Sequence, residues 1–123
     1  MQASSHNLTP DSPQIGRKST DTLARIYPLL AERGIVPNDV QQQMLASHVK
    51  AMVWRSYSGE ALPEVDLSLF DEISPLSLRL AEQVVAWLDN LAYEEAHLLS
   101  VHFEVAKENE LSSAARPATT GDN

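Results

Sequence analysis

Two histidines stand inside apolar helical patterns, where an imidazole is costly to hold without a reason. His102 lies in EEAHLLSVHFEVA, residues 94–106, on a stripe with Glu95, Leu98, Leu99, Ala106 and Asn109. His48 repeats the situation between Met44, Leu45 and Met52, on a stripe that runs from Val40 to Arg55. An imidazole so placed is either a neutral core residue held by one or two hydrogen bonds or a nitrogen nucleophile competent near neutral pH. Two of them, on two long helices, are harder to assign to packing than one.

Other chemistries fit poorly. Glu94 and His97 form a Glu-x-x-His step of the kind used in di-iron bundles, but such a site needs a second step, which this sequence lacks. His97 and His102 lie roughly 140° apart around a helix and so cannot share an ion from one face. No metal is expected. Ser47 and Ser100 fall within helical patterns rather than on a strand-to-helix elbow, and four scattered glycines build no phosphate-binding loop. The sequence therefore implies no cofactor, no catalytic residue and no enzyme. Trp54 and Trp87 recur at helical spacing with apolar neighbours and read as packing residues.

The elements that must position the histidines belong to one domain, since the chain has 123 residues, 43% of them hydrophobic. The absence of cysteine removes disulfides and thiolate metal sites. A net charge of −8, from nine Lys and Arg against seventeen Asp and Glu, lacks the positive footprint needed for direct nucleic-acid binding and suits protein partners. No stretch resembles a signal peptide or approaches the roughly 20 apolar residues that span a bilayer, so a cytoplasmic protein without membrane contact is expected.

Residues 1–19, with His6, and 112–123 are rich in Ser, Thr, Pro, Asn and Gly and read as flexible tails around a helical domain of residues 20–111. Ser19 or Thr20 is expected to cap a first helix ending near Arg33 at Gly34, with Pro28 kinking or splitting it. Asn38 caps a second that runs to about Tyr57 and closes at Gly59. DLSLFDEI is long enough for a short third; Ser74 and Pro75 open a fourth that reaches about Asn90, and a fifth runs from about Tyr93 to Leu111. The class is all-α, a compact antiparallel five-helix bundle.

With both histidines placed, LASHVKAMVWR, residues 45–55, resembles the histidine-bearing helix of the phosphotransferase-system regulation domain (PRD), in which an arginine follows seven residues after the histidine; here these are His48 and Arg55. YEEAHLLSVHFEVA, residues 93–106, resembles that domain's last helix, in which a glutamate precedes the second histidine by seven; here these are Glu95 and His102. LFDEISPLSLRLAEQVVAWL, residues 69–88, is similar to the connecting segment. The match covers residues 20–111 and departs at Ser47, where many members carry aspartate.

The resemblance implies a five-helix fold and a phosphorylation-controlled regulatory role in the sugar phosphotransferase system. It makes His48 and His102 phosphoacceptors served by the phosphocarrier protein or an enzyme II, with Arg55, Glu95 and Asn109 supporting the site. It further implies a homodimer. As a single copy without an effector domain, the chain resembles a stand-alone member acting on transcription or metabolism through a partner. A helical dimerisation or adaptor protein with structural histidines is the competing reading.

Overall fold

In the computed structural model of the chain, residues 8–115 are described, with side chains through residue 109. Four α-helices carry the fold: α1 Pro13–Ala31, α2 Asp39–Ser58, α3 Pro75–Val85 and α4 Glu94–Ala115, with no strand among the described residues. The short helix expected in DLSLFDEI is a single 3-10 turn, Leu67–Phe70, capped by the Asp66 carboxylate on the Ser68 backbone N–H. Five α-helices therefore become four and a turn. Leu69 in that turn is 75% exposed, so the segment has no continuous apolar stripe to bury and no reason to extend.

The first helix is capped at Ser12, seven residues before Ser19. Pro13 occupies its first turn, where a missing N–H costs nothing, and Ile15 is fully enclosed. The hydroxyl of Ser19, expected to cap the helix, donates instead to the Ile15 carbonyl at 2.7 Å, and Thr22 does the same to Lys18. Residues 13–19 are thus part of the domain, and residues 1–7, His6 among them, lie outside the described part. α1 continues through Pro28 to Ala31 without splitting. Gly34 follows in the left-handed conformation.

Asn38 and Gln41 open α2 with a reciprocal capping box, and Gly59 closes it at φ 76° while donating to the Arg55 carbonyl. Ser74 and Pro75 open α3. The Glu104 carboxylate accepts from the Ser74 and Ser77 hydroxyls at 2.8 and 2.7 Å, fastening that end to α4. Burial acts to raise the Glu104 pKa, but these donors and nearby Lys107 outweigh it and hold it below the usual value. α3 stops at Val85 rather than near Asn90; the chain turns over residues 86–90, where Asn90 takes a left-handed φ of 63°. α4 runs past Leu111 to Ala115, and the rest of the expected C-terminal tail lies outside the described residues.

The core gathers Ile15, Ile26 and Leu30 from α1, Leu45, Val49 and Val53 from α2, Leu80 and Val84 from α3, and Leu99 and Phe103 from α4. Trp54 and Trp87 pack against its edge; Trp54 donates to Glu60 and Trp87 lies beneath the Arg25 guanidinium at 3.9 Å. Among the described residues no helix is long and apolar enough to cross a membrane. The early start of α1 has a direct consequence: Ile15→Ala should lower unfolding stability by about 2–5 kcal/mol in a denaturant titration, whereas a tail residue would change it negligibly.

Candidate functional site

Where α2 meets α4, three polar pairs succeed one another, each step moving seven residues along one helix and seven back along the other. They are Arg55 with Glu95, His48 with His102, and Gln41 with Asn109. This is the register of two antiparallel helices, with layers about 10.5 Å apart along the axis.

At one end Arg55 grips Glu95 through two parallel hydrogen bonds, Nε to Oε2 at 2.6 Å and Nη2 to Oε1 at 2.8 Å. The Glu95 side chain is 1% exposed and that of Arg55 16%. A planar guanidinium meeting a carboxylate edge-on is the strongest geometry open to such a pair. Its value lies mainly in what its loss would leave, since breaking an enclosed pair from one side typically costs about 3–5 kcal/mol. Removing Arg55 alone would therefore cost folding stability, because it leaves the enclosed Glu95 carboxylate without a cation.

In the middle layer the imidazoles of His48 and His102 lie with centroids 4.8 Å apart and planes tilted by 41°. Both rings are half-buried, and with Met44, Ser47 and Ala51 they line a surface depression of about 370 Å³. Burial, then the neighbouring His102 and Arg55, push the His48 pKa down from 6.5 to about 4. Burial also lowers that of His102. Both rings are therefore neutral at pH 7, the form with a free nitrogen lone pair. His48 Nε2 is enclosed without a hydrogen-bond partner among the described residues, which departs from the expectation of a core histidine satisfied by hydrogen bonds.

At the far end Asn109 is committed elsewhere than the histidines. Its amide nitrogen donates to the Val36 carbonyl and to Gln41 Oε1, tying α4 to the start of α2. Two helical turns separate it from His102, and Asn109 does not line the histidine depression. Sequence reasoning missed Gln41, although Asn-x-x-Gln is a readable capping signature. Val40 and Met44, on the stripe that carries His48, are 63% and 56% exposed. His97 faces away from the pair, edge-on to Tyr93 at 4.9 Å and near Phe70 at 5.7 Å.

The arrangement offers a neutral, surface-reachable nitrogen nucleophile beside a second one, with an arginine one layer away. A crystal structure of a PRD-containing transcription regulator from Lactobacillus casei is similar to this chain, at 40% sequence identity and a TM-score of 0.72. The match covers 75% of this chain and 82% of that one. No family model matches the chain, and no curated protein matches it.

The low His48 pKa sets the sign of a pH effect. The unfolded chain binds more protons than the folded one between the two pKa values, so stability is full above about pH 6.5 and falls as the pH drops towards 4. Thermal unfolding followed across this range should show wild type losing about 1–3 kcal/mol more than His48→Gln.

Proposed function

Because this chain belongs to the PRD family, we propose that it is a regulatory protein of the sugar phosphotransferase system, controlled by phosphorylation of His102, His48 or both. The observation that carries the reading is the pair of neutral imidazoles set side by side on an open depression, where another protein can reach them. The donor is the phosphocarrier protein or an enzyme II. An acceptor nitrogen attacks phosphorus with its lone pair while the bond to the donor atom breaks and its electrons leave with the donor. The chain receives and reports a phosphoryl group and does not turn over a substrate. The Lactobacillus casei protein is a transcription regulator, and this chain is proposed to act likewise on transcription or metabolism, through a partner.

His102 is the preferred acceptor. Its motif is intact, whereas His48 follows a serine in place of the aspartate common in the family and has one nitrogen enclosed. Incubated with phosphorylated carrier, the protein should gain acid-labile, base-stable phosphate, most of it lost in His102→Ala and all of it in the double variant with His48→Ala. Mass spectrometry of the labelled peptides checks this. Full labelling of the double variant contradicts the assignment, and an unlabelled wild type favours a helical adaptor with structural histidines.

Val40 and Met44 on α2 and Val105 on α4 are exposed apolar side chains, surface that a second copy would bury while leaving the rings reachable. A homodimer is expected, with a light-scattering mass twice that of the chain at tens of micromolar. Met44→Asp should halve it. A monomeric wild type contradicts the dimer.

A further inference from the structure

Glu95 is the deepest charge described at the α2–α4 contact, and among the described residues its carboxylate accepts hydrogen bonds from Arg55 alone. Arg55 borders a depression that shares Ser47 and Ala51 with that of the histidines. The nearest other cation on α2, Lys50, is engaged with Asp11 on the exposed side at 2.9 Å. A phosphoryl group on either imidazole brings a charge of about −1.5 to −2 to a half-buried site, taking phosphoserine as the guide, and such a charge needs a cation.

We propose that Arg55 senses the phosphoryl group by exchanging partners: it leaves Glu95 for phosphate on His102 or His48, and the abandoned carboxylate forces α2 and α4 apart to reach water. The inference rests on the phosphoacceptor reading of the same pocket. Two of the guanidinium's N–H groups are taken edge-on by Glu95, so turning that edge to a phosphoryl group breaks the two-bond grip, which makes this an exchange. A serine precedes His48, so no carboxylate there competes for the guanidinium. Arg55 and Glu95 are positioning residues here, acting on the contact between two helices and forming no bond to phosphorus.

The test uses the full chain phosphorylated chemically with potassium phosphoramidate and, separately, by the phosphorylated carrier, with the label counted by intact mass. Amide hydrogen exchange is then compared with and without label. Labelled wild type should exchange roughly tenfold faster at residues 49–53 of α2 and 99–103 of α4. Glu95→Gln, whose neutral amide does not require a cation, should take the label with less than about a twofold change. The double variant Arg55→Leu, Glu95→Met removes both charges together and serves as a second insensitive form should the single variant unfold. Slower or unchanged exchange in labelled wild type overturns the exchange of partners, as does a Glu95→Gln protein that opens like wild type. A wild type that opens under phosphoramidate label but takes none from any carrier overturns the acceptor role while leaving the latch standing. Absence of label on both rings under phosphoramidate overturns both.

Discussion

A carboxylate enclosed to 1% exposure survives in a protein interior only with a fixed counter-charge, and Glu95 has one in Arg55. Much of the α2–α4 contact depends on that pair. It sets the register in which His48 meets His102, because two antiparallel helices joined at one layer repeat their facing residues seven positions on. The Gln41–Asn109 tie fixes the same register at the other end. The imidazoles are held between two polar anchors, in a layer whose own members make no hydrogen bond to each other among the described residues.

Under the proposed function, this arrangement separates holding from reacting. The anchors supply specificity, while the middle layer keeps neutral rings at the surface, free of strong partners that would occupy their nitrogens. Depressed pKa values follow from the same placement: the rings are too enclosed to charge easily, yet open enough to be reached. His48 Nε2 is enclosed without a hydrogen-bond partner among the described residues, as is His97 Nδ1. Under the proposed function, the unsatisfied ring costs some stability, and the phosphoryl group brings new charge one layer from the Arg55–Glu95 pair.

Much of this was legible in the sequence because the signals were local and periodic. The seven-residue steps from His48 to Arg55 and from Glu95 to His102 placed four side chains on two facing stripes, and Asn38, Gly59, Ser74 and Pro75 marked helix ends correctly. The misreadings arose where tertiary context overruled local chemistry. Ser19 looked like a cap and is a buried mid-helix hydroxyl, because Ser12 and Pro13 had already begun α1 and Ile15 had a core to enter. Residues 66–73 looked like a helix and form one 3-10 turn, since few apolar contacts await them. Asn109 shares the stripe of His102, but the start of α2 lies opposite and takes its amide. Hydrophobic periodicity also could not distinguish Met44, on an open rim, from Leu45, in the core.

The most direct measurement is a long-range proton–nitrogen NMR spectrum of the imidazole rings at pH 7, recorded before and after phosphorylation by the carrier, with coupling to phosphorus identifying the modified nitrogen. The account predicts two neutral rings for His48 and His102 beforehand, and afterwards a phosphorus-split nitrogen on His102 with that of His97 unchanged. A charged His48 or His102 at pH 7, or phosphorus found on His97 or on neither member of the pair, would contradict it.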